Sequence, residues 1–388
     1  MTITTNQTII NYYNDVCSRW NYTPTDKMST GYEAVMPRLQ QLSKEVWVAA
    51  DDAGKQQIED EVFNIYRSVN IIPIHYYNLE GCREQLIELS TKKKIIEDKI
   101  LGVGNNEGLT FGRFWFENMQ DAYTRNNKDV SLRARFNNDT KLKRAINLCY
   151  KHRDEGADAV IPKNLRRAFD LVSGGSIQNF KPMNARAVWE YLCPVMFGRV
   201  LDFSSGYGGR MLGAMTSNMR YHYTGIDPNT KTYNGLVALG ELLNECNLGS
   251  GYEMNHMPSE DFDPEPGSYD AAFSSPPYFN LETYSDEDTQ CMNRCSNLDA
   301  WFELYVEPTL KMIHKGLASD ALYAVNIADY NFDKENFQIV ERWKELSEKV
   351  GFRYEHTVKM MLNVRPGQGN NRQQNALKFE GIYVFSKK

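Results

Sequence analysis

The chain is short of several features that would mark common protein classes. No stretch approaches the ~20 apolar residues a membrane-spanning helix needs. The amino terminus, MTITTNQTIINYYND, lacks the basic start and apolar run of a signal peptide. Cysteine is sparse: seven residues in 388, an odd number scattered from Cys17 to Cys295. That pattern excludes a disulfide scaffold and points to reduced thiols in a cytoplasmic compartment. Only Cys291 and Cys295 lie close together, with no second Cys or His pair near enough in sequence to suggest zinc, so no metal is expected. Internal repeats and low-complexity runs are missing as well. What is there is a globular composition, 41 % hydrophobic and 24 % charged, in 388 residues. That is about two to three domain lengths, if a domain takes roughly 100–200 residues.

Positive charge is in deficit overall, with a formal net charge of −6, but it is unevenly placed. Residues 121–167 hold twelve Lys/Arg against six Asp/Glu, whereas residues 251–310 hold thirteen Asp/Glu and one Arg. Local charge decides whether a surface meets phosphate. The basic stretch therefore fits either a nucleic-acid contact or a solvated helix face.

The two halves of the chain differ in pattern. Up to about residue 165 apolar residues recur at helical spacing, in Ala34–Val48, Ile58–Val69, Leu86–Ile100 and Leu142–Tyr150. The cluster Phe111, Phe114, Trp115 and Phe116 is expected in this half's core. Glu155–Pro162 and the glycines Gly174 and Gly175 suggest a hinge, giving a mainly helical segment 1–165 and a second segment 166–388. In the second, short apolar strands alternate with helices. The strands are Arg199–Phe203, Tyr223–Ile226, Tyr252–Asn255, Ala271–Ser274, Ala321–Ile327, Tyr354–Met361 and Gly381–Ser386. Between the first five come helices over Gly209–Thr216, Thr230–Glu245 and Leu298–His314, the last between an Asn297 cap and Gly316. Such alternation predicts an α/β fold with a mostly parallel, doubly wound sheet, an antiparallel hairpin at its end, and ligands at the carboxyl ends of the strands.

Three of those ends carry candidate cofactor residues. The first strand runs into Asp202-Phe-Ser-Ser-Gly206-Tyr-Gly208-Gly209, where glycines allow close backbone approach. A dinucleotide fingerprint needs a third glycine where Met211 stands, which disfavours a Rossmann oxidoreductase. The second strand ends at Asp227, placed for ribose hydroxyls or for capping the next helix. The third is followed by Ser259-Glu260-Asp261, where Asp261 can take an adenine amino group. Together these point to a nucleoside-containing cofactor.

The fourth strand enters Ser275-Pro276-Pro277-Tyr278-Phe279. The prolines fix φ and remove two N–H donors, leaving rigid carbonyls beside a hydroxyl and an aromatic ring. With this tetrapeptide, Asp202–Gly208, Asp227 and Asp261 in that order, residues 176–388 resemble the class I S-adenosylmethionine-dependent methyltransferases that modify base amino groups. These are the Ser/Asp/Asn-Pro-Pro-aromatic enzymes of the N4-cytosine and N6-adenine DNA methyltransferase family. The phrases DFSSGYGGRMLGA and YTGIDPN also resemble methyltransferases of phages and large viruses.

The resemblance implies a seven-stranded Rossmann-like sheet with a C-terminal antiparallel hairpin, S-adenosylmethionine as cofactor, and a DNA partner in a bacterial or phage-infected cell. Asp202, Phe203, Ser204, Gly206 and Gly208 would hold the methionine part, with Lys181 in a further methionine-binding element. Asp227 would bind the ribose and Asp261 the adenine. Ser275 and the Pro276 carbonyl would accept the hydrogens of the target amino group, with Pro277 stiffening the turn. Tyr278 would stack on a base flipped out of its duplex. Phe279 in the polar aromatic loop 279–286, and Arg365 and Arg372 in the final hairpin loop, are candidate substrate contacts. RNA or a modified nucleotide as substrate, and a catalytically silent cofactor-binding interaction protein, are the alternatives.

Overall fold

A computed structural model describes residues 6–104, 106–124, 127–152, 158–172, 177–332, 335–362 and 379–388. Eight strands form its main sheet: β1 (Ile100–Leu101), β2 (Arg199–Asp202), β3 (His222–Ile226), β4 (Gly251–Asn255), β5 (Tyr269–Ser274), β6 (Leu317–Asn326), β7 (Phe352–Met361) and β8 (Phe379–Lys387). Their spatial order is β1-β7-β8-β6-β5-β2-β3-β4. The run from β4 to β6 is parallel throughout, and β8 lies antiparallel between β6 and β7. The seven-stranded doubly wound sheet with its terminal hairpin is therefore present, with one added strand.

Alternation along each strand decides which helices cover which face. Val200, Ala271, Phe273, Ala324 and Val384 point to one side. There they meet α1 (Gln7–Trp20), α2 (Leu109–Trp115), α3 (Pro182–Leu192), α4 (Gly209–Met215) and α5 (Thr230–Glu245). Leu201, Ala272, Tyr323, Val325 and Phe385 point to the other side. They are covered by α6, which runs through Leu298–Trp301, a π-helical turn Phe302–Val306 and Glu307–Gly316, and by α7 (Val340–Val350). Asn297 caps α6 as its sequence predicts, accepting the Ala300 N–H at 2.9 Å.

The amino-terminal half docks on α5 through a close backbone approach. Tyr12 Oη donates to the Trp115 carbonyl at 2.8 Å, and Trp115 Nε1 donates to the Gly235 carbonyl at 2.9 Å. A Cβ on Gly235 would lie 2.5 Å from Tyr12 Oη, so only glycine permits this approach. Phe111, Phe114, Trp115 and Phe116 are all buried there, as expected. One contiguous set of buried apolar side chains extends from Ile9 to Val384.

Two helical expectations need correction. Ala34–Val48 is two short helices, Met36–Gln41 and Lys44–Ala49, because Ser43 caps the second one. In Leu86–Ile100 the helix ends at Thr91, and Ile100–Leu101 becomes β1, parallel to β7 with Ile100 opposite Lys359. An open sheet edge offers unpaired N–H and C=O groups, and pairing with it overrides local helical spacing.

Consecutive connections leave β2 in opposite directions, toward β3 and β4 on one side and toward β5 and β6 on the other. The crevice outside the carboxyl ends of β2 and β5 is the switch point where ligands bind in open α/β sheets. The glycine turn and Ser275–Tyr278 both emerge there.

Candidate active site

A cavity of about 910 Å³ fills that crevice. Its wall includes Lys181, Phe203, Ser204, Gly206, Asp227 and all four residues Ser275–Tyr278. Sequence positions almost a hundred apart are thus brought to one space. Asp202, Gly208, Asp261 and Phe279 are not in that wall, and each has another task.

Asp202 ends β2 with its side chain wholly buried. One carboxylate oxygen accepts from Arg210 Nε at 2.9 Å and Tyr223 Oη at 2.8 Å, the other from Ser274 Oγ at 2.8 Å and the Ser204 N–H at 3.3 Å. Those four donors come from α4, β3, β5 and the glycine turn. The expected methionine ligand is instead the clasp beneath the turn, and Arg210, which also bonds the Ser204 carbonyl, reaches the cavity wall.

The two glycines also divide their work. Gly206 (φ +54°) donates its N–H to Asp227 Oδ2 at 2.8 Å and faces the cavity. Gly208 (φ +70°) precedes α4, and a Cβ there would lie 2.8 Å from the Phe116 ring. Its bareness serves docking of the amino-terminal half. Tyr207 between them is held by Asn179 Nδ2, which donates to its carbonyl at 2.6 Å. The Tyr207 ring is buried in the cavity wall, and its hydroxyl has no hydrogen-bond partner.

At the β3–β4 end of the cavity, Asp227 also accepts the Asn229 N–H at 2.9 Å. Burial pushes its carboxyl up to about 7 against these two amide bonds. Asp261, expected at the adenine position, is half exposed and pairs with Arg294 at 3.1 Å. Its neighbour Glu260 lines the cavity instead, with its side chain 5 % exposed. The short 3-10 turn Ser259–Asp261 turns one acid inward and the next outward. Glu260 Oε1 accepts from the same Arg294 at 2.8 Å, yet burial raises its carboxyl to about 7, and its Oε2 has no partner. Nearby in the wall, Gln290 Nε2 is likewise buried without a partner. Tyr305, placed by the π-helical turn of α6, meets Ser204 Oγ at 3.0 Å. Lys181 donates to the Gly104 carbonyl at 2.5 Å, and burial lowers its ammonium.

At the opposite end stands Ser275–Tyr278. The Tyr278 ring meets Tyr330 edge-on, 5.4 Å away at 84°, and its hydroxyl donates to Glu380 Oε1 at 3.3 Å. Phe279 turns away toward Phe337 and the apolar core on the α6 side, because burial of its ring outweighs exposure at the mouth. From the loop singled out in the sequence, Leu281, Glu282 and Tyr284 do line the cavity. That loop is tied to the amino-terminal half: Tyr123–Thr124 pairs antiparallel with Glu282–Thr283, and Lys128 meets Asp286 at 3.1 Å. Cys291 is in the wall too, but burial raises its thiol, which argues against a thiolate nucleophile.

Sequence reasoning missed Glu260, Gln290, Tyr207, Arg210 and Glu380. The Glu-Asp pair was visible, but not which member faced inward; Glu380 carries no motif at all. Arg365 and Arg372 lie outside the described residues. In the basic stretch many cations are internally engaged. Arg133 pairs with Glu117 and Asp121, Arg135 donates to the Phe169 carbonyl, Lys143 pairs with Asp60, and Arg166 with Asp170. Arg144, Lys151 and Arg167 are exposed. Among the described residues no group of three His, Cys, Asp or Glu is placed to hold a metal, and no helix is long and apolar enough to cross a membrane.

No family model matches the chain, and no curated protein does either. Solved structures do. A 1,6-didemethyltoxoflavin-N1-methyltransferase from Burkholderia thailandensis, with bound S-adenosylhomocysteine, is similar over 53 % of this chain and 78 % of that one (15 % identity, TM-score 0.36). A TehB-like SAM-dependent methyltransferase from Corynebacterium glutamicum covers 57 % of this chain and 94 % of its own (14 % identity, TM-score 0.34). A tRNA methyltransferase from Aquifex aeolicus covers 55 % and 71 % (14 % identity, TM-score 0.34). At such identities and scores, no chemistry passes from those proteins to this chain.

Proposed function

We propose that this chain transfers a methyl group from S-adenosylmethionine to the exocyclic amino group of a DNA base, cytosine N4 or adenine N6. One observation carries the reading: Asp227 and Glu260 on one side and Ser275–Tyr278 on the other line a single cavity at the sheet's switch point.

The residues present fit the cofactor. Glu260 Oε2 is a buried acceptor without a partner and Gln290 Nε2 a buried donor without one. Such a pair is costly unless a ligand satisfies it. An adenine amino group and ring nitrogen would do so. Asp227 would take the ribose hydroxyls, and Gly206, Ser204 and Lys181 the remaining part. When bound, the cofactor supplies an electrophilic methyl group on sulfur.

The rest falls to this chain. A base amino group is a poor nucleophile, because its lone pair is delocalised into the ring. Ser275 Oγ and the Pro276 carbonyl would accept its hydrogens and favour tetrahedral nitrogen, and the one proton lost on methylation would pass from these acceptors to water. Tyr278 holds the ring plane by stacking. Direct transfer, with no covalent enzyme intermediate, would need no thiolate, in keeping with the raised Cys291 thiol. Catalysis here is positioning and electrostatics.

The test is transfer of labelled methyl to unmethylated DNA, with RNA in parallel and nucleoside mass spectrometry to identify the product. Tyr278→Ala is expected to lose roughly 10- to 100-fold in rate, the value of a base–aromatic stack, while still binding cofactor. Methylation of RNA alone would replace DNA by RNA as the substrate and leave the methyl-transfer reading in place. Cofactor binding without transfer to either would mark a silent fold.

A further inference from the structure

The substrate end of the cavity is more acidic than the handling of an amino group requires. Beyond Ser275–Tyr278 its wall carries two carboxyl groups, Glu282 from the loop and Glu380 from β8. Tyr278 donates to Glu380, and Tyr284 donates to Glu282. Asn326 stands in the same wall, with its Nδ2 on the Gly381 carbonyl at 3.0 Å. Tyr207 lines the same cavity with its hydroxyl buried and without a partner, and it feels the charge of Asp227 and then of Glu282.

Resting on the function proposed above, we infer that Glu380, with Glu282 beside it, reads the ring edge of the target base next to its amino group. A neutral carboxyl presents one hydroxyl donor and one carbonyl acceptor side by side. The amino-bearing edges of cytosine (N4 and N3) and adenine (N6 and N1) present the complement, a donor beside an acceptor. A guanine edge presents two donors and would leave the carboxyl hydroxyl without a partner.

The surroundings favour the neutral form. Burial raises Glu380 above the ordinary carboxylate range, against hydrogen bonds from Tyr278 and Asn326. Burial also raises Glu282, against the Tyr284 bond, and the charge of Glu380 adds to that rise. Tyr383 feels Glu380 as well. Two like charges in one low-dielectric pocket oppose joint ionisation. A buried acid kept neutral to donate a hydrogen bond is an established chemical device.

Three enzymes and two substrates test this. Methyl transfer is measured for the wild type, Glu380→Gln and Glu380→Ala, on the natural oligonucleotide and on one whose target base lacks the ring nitrogen (3-deazacytosine or 1-deazaadenine). Cofactor binding by calorimetry serves as the folding control. The wild type is expected to slow roughly 10- to 100-fold on the deaza base, the value of one buried hydrogen bond. Glu380→Gln keeps a donor and an acceptor, so it retains most of the rate and the deaza penalty. Glu380→Ala loses a similar factor on the natural base and little more on the deaza base. Equal loss in Gln and Ala variants, or a deaza penalty intact in Glu380→Ala, overturns the inference. A wild type that binds cofactor but methylates no nucleic acid overturns the underlying function, and this reading with it.

Discussion

Asp202 offers the sharpest test, because sequence and structure assign it different work. Its side chain is wholly buried, and that of Arg210 is 6 % exposed, so solvent screens the pair little. Replacing Asp202 by Asn keeps the shape but removes the charge. It leaves the Arg210 guanidinium buried without a counter-ion and sets an amide NH₂ against donors that now face a carboxylate oxygen. Breaking such a buried pair costs about 3–5 kcal/mol, a large fraction of the ~5–15 kcal/mol that holds a typical domain together. The assay is urea unfolding followed by tryptophan fluorescence, with cofactor affinity measured calorimetrically on the folded protein. Asp202→Asn is expected to lower stability by that amount, with any loss of affinity secondary to it. The pair Asp202→Asn with Arg210→Met is expected to recover part of the stability, since no charge then stays buried alone. If Asp202→Asn keeps its stability within about 1 kcal/mol, the low end of what one unsatisfied buried group costs, and loses cofactor affinity, the clasp assignment is refuted and the ligand role stands.

Two further predictions follow from the same region. Gly208→Ala forces a side chain into a left-handed conformation, at about 1–2 kcal/mol, and against the Phe116 ring at 2.8 Å. With about 1–3 kcal/mol more for overpacking, thermal unfolding should report a total loss near 2–5 kcal/mol. Asp227 and Glu260, both raised by burial to about 7, retain protons in the folded state that the unfolded chain has released. More protons bound when folded means stability falls as pH rises from the unfolded values near 4 toward 7, and is level above that. Cofactor binding by ionised Asp227 and Glu260 has the opposite slope, so affinity should rise between pH 6 and 8 and flatten in the double variant Asp227→Asn, Glu260→Gln. Titration calorimetry across that range checks both the rise and its loss.

Much of the architecture was legible because period-2 and period-3.6 patterns are local. The helix Thr230–Glu245 was read to the residue, and all seven predicted strands are present within a few residues of their expected ends. The Ser275–Tyr278 turn was legible for a related reason. Two prolines constrain their own backbone whatever surrounds them. Harder to read was anything set by partners distant in sequence. β1 exists only because the edge of β7, some 260 residues later, is open to it. Gly208 belongs to a glycine-rich turn by sequence, and only the fold sets the Phe116 ring against it.

The amino-acid sequence alone determined the alternation of strands and helices, the rigid Ser-Pro-Pro-Tyr turn, and the presence of acids after the second and third strands of the carboxyl-terminal half. These depend on covalent geometry and nearest-neighbour spacing. Only the tertiary structure decided that Asp202 is a saturated clasp, that Glu260 and not Asp261 faces the cavity, and that Glu380 stands beside Tyr278. Burial and hydrogen-bond saturation are properties of a closed packing, in which neighbours in space are far apart in sequence. A carboxylate's role turns on whether folding leaves it an unfilled lone pair, and no single stretch of chain carries that information.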